Sequence, residues 1–79
     1  MESIYVVFHR EVCDKHVAGA FDDLEKARAA ILKEIGTNSY EELPGMVNYD
    51  EYYRVTGPSY RAYGIQKLKL NEFKNRRPF

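Results

Sequence analysis

The stretch Asp22–Gly36, DDLEKARAAILKEIG, constrains the fold more than any other part of this chain. Leu24, Ala27, Ile31 and Ile35 recur at spacings of three and four and so form one apolar stripe along a helix. Glu25, Lys26, Arg28, Lys33 and Glu34 fall largely on the remaining surface and stay in water. Asp22 is the expected N-cap, with Glu25 three residues later in a capping-box arrangement, and Gly36 is the expected C-cap. Acidic residues in the first turn suit the helix dipole. A helix with a single apolar stripe must bury that stripe against another layer, and the flanking sequence supplies only strand-like segments.

Ser3–His9, SIYVVFH, is rich in β-branched and aromatic residues and reads as a strand. Ile4, Val6 and Phe8 point to one face and Tyr5 and Val7 to the other; apolar residues on both faces place it inside a sheet. The polar segment REVCDK then connects it to a returning strand, His16–Phe21, in which Gly19 marks a bulge or a close packing contact. Beyond the helix, Ser39 and Glu42 repeat a cap-like pattern, but Pro44-Gly45 stops it, so one helical turn or none is expected. EYYRVT is the third strand, Gly57–Ser59 a turn, and YRAYGIQKLKL the fourth strand. Tyr63 and Ile65 share one parity and Leu68 and Leu70 the other, which predicts a bulge or break between Gly64 and Lys67. The expected fold is therefore α+β: a single small ββαββ domain spanning residues 1–73, with a mainly antiparallel sheet and one helix, about residues 23–35, packed on one face. The outer face of that sheet is expected to carry tyrosines and charges. Residues 74–79 read as a basic tail.

With 79 residues there is one core and no room for a second domain; a chain of this length buries only about 60% of its unfolded surface. The lone cysteine, Cys13, makes no internal disulfide, which suits a reducing compartment. No charged start precedes a long apolar run, so no signal peptide is expected, and no apolar run is long enough to cross a bilayer. A cytoplasmic location follows as the expectation. Formal net charge is zero, yet its distribution is uneven: −2 over Met1–Gly36, −4 over Thr37–Tyr53 and +6 over Arg54–Phe79. A neutral total argues against general polyanion affinity and is compatible with a local basic patch.

The segments IYVVFHREV, VAGAFDDLEKARAAI and YRAYGIQKLKL together resemble a diffuse set of short phage and prophage proteins. Those proteins share a valine-rich first strand, a second strand that steps into the helix, and a late strand. The matching residues are capping and core residues, so the resemblance implies a fold and a viral origin and carries over no site. Among proteins of that kind and size, assigned roles are often inhibition of host enzymes or of host defence systems. The resemblance thus implies an accessory protein acting in the host cytoplasm.

Several chemistries have candidate residues in the chain. His9, Cys13, Asp14 and His16 are zinc-ligand types at hairpin spacing, but Asp14 would have to serve as a weak fourth ligand, and a polar hairpin connection explains the same residues. Cys13 as a nucleophile has no recognisable cysteine-enzyme signature around it. No glycine-rich phosphate loop is present, and the carboxylate pairs Glu41-Glu42 and Asp50-Glu51 read as solvated. The chain is accordingly read as a non-enzyme with no cofactor and no metal site.

The working surface is expected in Asn48–Gly64, NYDEYYRVTGPSYRAYG, which holds five of the seven tyrosines. Tyrosine and arginine are enriched at interface hot spots, because each offers a large contact area and a polar end. The expected partner-binding residues are Tyr49, Tyr52, Arg54, Tyr60, Arg61 and Tyr63. Tyr52 and Tyr53 point opposite ways along a strand, so at most one of them is expected in the core, and half of the tyrosines are expected to be exposed. The leading reading is a non-catalytic accessory protein that binds and inhibits or modulates a host protein, anti-defence action of the anti-CRISPR type included. The alternative is a single-stranded nucleic-acid binder using a Tyr/Arg sheet face, disfavoured by Asp50 and Glu51 beside the same tyrosines. Exposed tyrosines also leave homodimerisation open.

Overall fold

The computed structural model describes residues 3–12, 14–43, 49–57 and 60–71. Its elements run β1 (Ser3–Glu11), β2 (Lys15–Phe21), α1 (Leu24–Ile35), β3 (Tyr40–Glu42), β4 (Glu51–Val55) and β5 (Arg61–Lys69). They form one five-stranded sheet in the order β2-β1-β5-β4-β3, antiparallel at every junction, with the helix on one face. The α+β class is as expected. The ββαββ order is corrected to ββαβββ, because the segment expected to hold a helical turn or none is instead the edge strand β3. Tyr40, Glu41 and Glu42 pair with Val55, Arg54 and Tyr53, and the Thr56 amide donates to the Ser39 carbonyl at 2.8 Å. A three-residue segment has little intrinsic preference, so the free edge of β4 decides its state. Pro44-Gly45, Pro58-Ser59 and the basic tail lie outside the described residues.

The helix begins one residue later than its first acidic signal. Asp23, not Asp22, is the N-cap: its backbone is extended and its Oδ1 accepts the Glu25 amide at 2.8 Å. Glu25 thus sits at the second helical position, too early to close a capping box, and it pairs with Arg28 Nη1 at 2.5 Å. Asp22 pairs with Lys26 at 3.1 Å. At the other end Gly36 adopts φ 64°, the left-handed conformation that favours glycine, and its amide donates to the Leu32 carbonyl.

β1 is an interior strand, paired to β2 on one side and to β5 on the other. The bulge lies in β2: Val7 opposes Gly19 and Phe8 opposes Val17, leaving Ala18 as the extra residue. β5 carries none, pairing with β1 from Arg61 to Lys69 without a break. The bulge expected between Gly64 and Lys67 is unnecessary because the sheet buries apolar groups on both faces, so both parities of β5 find cover.

On the helix face, Val7, Tyr53, Val55, Tyr63 and Ile65 meet Ala27, Ile31 and Ile35, with Tyr5, Phe21 and Leu24 at the margin. On the outer face, Phe8, Tyr49, Tyr52 and Ala62 form a second cluster, joined by Val6 and Leu43. Tyr52 and Tyr53 are therefore both buried, one in each cluster, which corrects the expectation that at most one is. Four of the seven tyrosines (Tyr49, Tyr52, Tyr53 and Tyr63) are buried. Burying an aliphatic side chain such as Ile31 or Ile65 contributes about 1.5–3 kcal/mol relative to exposure.

Gly64 shows how closely the outer cluster packs. A Cβ on Gly64 would sit 2.1 Å and 2.2 Å from carbons of the Tyr49 ring, so the ring lies directly against the glycine backbone. The Phe8 ring meets Tyr49 edge-on at 6.1 Å between centroids, and Tyr52 flanks it at 5.2 Å. On the opposite face, Arg28 binds Glu51 through two guanidinium nitrogens, Nε to Oε1 at 2.9 Å and Nη2 to Oε2. The Tyr53 hydroxyl donates to the same carboxylate at 2.9 Å, tying the helix to β4.

Candidate partner-binding surface

Antiparallel register decides which polar side chains share a face, because directly opposed residues project the same way. One row across the sheet runs Lys15, Arg10, Ala62, Arg54, Glu41. It lies on the outer face, one step beyond the row containing Phe8, Gly64 and Tyr52. Lys15, Arg54 and Glu41 are exposed, Arg10 is half-buried, and Ala62 beneath them is fully buried. Arg54 Nη2 donates to Glu41 Oε1 at 2.7 Å, and this contact raises the Arg54 pKa further above the ordinary guanidinium range.

Tyr60 stands beside this row and is 38% exposed. Two contacts hold it. Its hydroxyl lies 2.8 Å from that of Tyr52, and the Arg10 guanidinium carbon sits 5.9 Å from its ring centroid. Burial, reinforced by the hydrogen bond to Tyr60, pushes the Tyr52 hydroxyl up to about 12, so it stays protonated and available as a donor at neutral pH. Tyr52 is a buried post, and Tyr60 is the part of the pair that reaches solvent.

The six expected residues divide accordingly. Tyr52, Arg54 and Tyr60 come together on the outer face. Tyr49 is on the same side but lies in the cluster beneath, 8% exposed, with its hydroxyl shifted upward by burial. Tyr63 and Arg61 belong to the helix face. Tyr63 is 3% exposed and stacks on His9 at 4.7 Å, and Arg61 is half-buried opposite Glu11 and Val55. Tyr49 and Tyr63 are therefore core residues. Arg10, absent from the expectation, completes the surface. Its only sequence signal is that it shares the parity of Phe8 one step further along β1.

The histidines expected as metal-ligand types meet at the β1–β2 hairpin. His9 and His16 rings approach edge-to-face at 4.9 Å, and His16 Nδ1 lies 3.0 Å from Asp14 Oδ2. His9 Nε2 is 3.4 Å from Glu11 Oε1, without hydrogen-bond geometry. Burial is the main influence on His9 and lowers its pKa, more than Glu11 raises it. Among the described residues no group of three or more histidine, cysteine, aspartate or glutamate side chains is placed to hold a metal ion, and Cys13 lies outside those residues. A cleft of about 640 Å³ separates α1 from β3 and β4, lined by Glu25, Arg28, Leu32, Glu42 and Glu51 among others. Of its charged groups, Arg28 binds both Glu25 and Glu51, and Asp50 accepts the Lys67 amide. Among the described residues no helix is long and apolar enough to cross a membrane. Set against family models, curated proteins and solved structures, the chain matches none of them.

Proposed function

We propose that this is a non-catalytic accessory protein that binds another protein through the outer-face surface formed by Tyr60, Arg10 and Arg54. The observation that carries the reading is the fixed exposed ring of Tyr60, held by the Tyr52 hydroxyl on one side and by Arg10 on the other. An exposed aromatic normally loses side-chain freedom on binding, at roughly 0.5–1.5 kcal/mol per ordered side chain. Here much of that ordering is present before a partner arrives. Tyrosine with arginine is also the composition of interface hot spots. The Arg54–Glu41 pair adds charges of both signs at the margin, which favour one docking orientation over another. The resemblance to phage proteins makes a bacterial host protein the partner class, and inhibition or modulation of that protein the role.

Immobilised protein should retain a stoichiometric partner from bacterial host lysate, and Tyr60→Ala should weaken that partner's binding at least tenfold, about 1.4 kcal/mol. Undiminished binding by Tyr60→Ala would refute the assignment. A second reading, single-stranded nucleic-acid binding, is favoured by Lys15, Arg10 and Arg54 lying in one row beside an exposed tyrosine. It requires oligonucleotide affinity that falls steeply with salt, so absence of binding to a labelled oligonucleotide at low salt removes it.

A further inference from the structure

The two edges of the sheet are built differently. The β3 edge is three residues long and carries Glu41 and Glu42, features that discourage pairing with another strand. The β2 edge is seven residues long, and from His16 to Phe21 it has no acidic, lysine or arginine side chain. Val17 on this strand is 58% exposed, and Lys15, Ala18 and Ala20 are exposed as well. Among the described residues nothing pairs with the outer side of β2, so its outward amides and carbonyls form a template for one more strand.

We propose that β2 pairs antiparallel with β2 of a second copy of this chain, about a two-fold axis at Ala18–Gly19, joining the two sheets edge to edge. The bulge sets this register. Val17 faces outward with Phe8, and Ala20 outward with Val6. His16 faces the helix side with His9, and Phe21 with Tyr5. A two-fold axis normal to the sheet keeps each side chain on its own face, so opposed residues must face alike. Without the extra residue at Ala18, Val17 and Ala20 would point to opposite faces and could not oppose each other.

With the bulge, Val17 opposes Ala20 of the second copy, and His16 opposes its Phe21. The next step places Lys15 against Asp22 of the second copy, and symmetry makes that opposite-charge contact twice. Charge complementarity therefore coincides with the register that the facing of the side chains requires. A heterologous strand meets the same edge without this match. On the helix side of the edge, a hollow of about 320 Å³ with an apolar floor including Val7, Phe21 and Ile31, and with Lys33 and Glu34 also in its lining, lies beside the axis, where the second copy's His16 and Phe21 cover it.

Sedimentation equilibrium over a protein concentration series tests the contact. The wild-type chain should associate as a dimer, and both Lys15→Glu and Val17→Lys should weaken the dimer at least tenfold. Both positions are exposed, so circular dichroism of each variant should remain that of the folded wild type. The double variant Lys15→Glu/Asp22→Lys should regain dimerisation, because the intermolecular charge pair is reversed rather than lost; it gives up the exposed Asp22–Lys26 pair and leaves Asp23, the N-cap, untouched. A wild-type chain that stays monomeric up to about 1 mM overturns the proposal, since a contact weaker than that carries under about 4 kcal/mol. So does a dimer whose strength in both Lys15→Glu and Val17→Lys equals that of the wild type.

Discussion

Placing a methyl group on Gly64 attacks the outer cluster at its tightest point. The added Cβ would meet the Tyr49 ring at 2.1, 2.2 and 2.8 Å. Carbon atoms settle at about 3.5–4.0 Å, so the ring must retreat by roughly 1.5 Å. Tyr49 is packed between Phe8 and Tyr52, so that retreat disturbs both neighbours. Overpacking of this kind costs about 1–3 kcal/mol. If the ring is removed first, the methyl group meets open space, and replacing a strand glycine by alanine is then worth roughly 0.5–1 kcal/mol in favour of folding. Gly64→Ala should therefore destabilise the wild type by about 2 kcal/mol and stabilise the Tyr49→Ala background slightly. The two effects differ by a coupling of roughly 2–4 kcal/mol. Urea unfolding of the wild type, both single variants and the double variant measures this cycle. All four are studied in one fixed concentration of trimethylamine N-oxide, which keeps the weaker variants folded. An equal cost of Gly64→Ala in both backgrounds would show that Tyr49 does not lie over Gly64, and the account of the outer cluster would fail with it.

Other perturbations follow from the same contacts. Gly36→Ala places a side chain at φ 64° and should destabilise the helix end by about 1–2 kcal/mol in thermal or urea unfolding. Glu51 titrates below the ordinary carboxylate range because Arg28 binds its charged form, so its contribution is present above pH about 4.5 and lost as pH falls through the lowered value. The stability difference between wild type and Glu51→Gln should accordingly shrink as acid is added; a difference constant down to complete protonation would contradict the Arg28 tether. His9 is held neutral by burial and binds a proton more readily when unfolded. The His9 contribution to stability should therefore be fully present above pH about 6.5 and be lost as pH falls through the lowered His9 value. In His9→Phe, which keeps an aromatic against Tyr63, that part of the acid slope should be missing from urea midpoints measured between neutral and mildly acidic pH.

What the chain reveals before its structure depends on how local the cause is. The helix is legible because its stripe and its C-terminal glycine act within a few residues, and even there the choice between Asp22 and Asp23 turns on one hydrogen bond. The two strands before the helix and the two that carry the tyrosine-rich segment, β4 and β5, are legible from their β-branched and aromatic runs. β3 is not, because Tyr40–Glu42 becomes a strand only through pairing with Arg54 and its neighbours. The second apolar cluster is hidden for a similar reason. Tyr49 and Gly64 are distant in sequence, and nothing in either residue announces that a ring will lie on a glycine. Alternation in β5 was consistent with a bulge or with a sheet buried on both faces, and the tyrosines of β4, one in each cluster, are what the second solution requires. Within the candidate surface, Arg54 and Tyr60 were legible as residue types. Arg10 was not, since it reaches them only across two strand junctions.

The claim at the centre of this account is that Tyr60 is the contact point for a partner protein, whereas Tyr49, Tyr52, Tyr53 and Tyr63 build the sheet. Photo-crosslinking tests it most directly, with Tyr60 replaced by a photoreactive phenylalanine in the full chain and Lys33, exposed on the helix, replaced in the same way as a control. Illumination in bacterial host lysate should yield one discrete heterologous adduct from position 60 and none of the same mass from position 33. The same adduct from position 33, with none from position 60, would contradict the claim and move the binding surface to the helix side of the molecule.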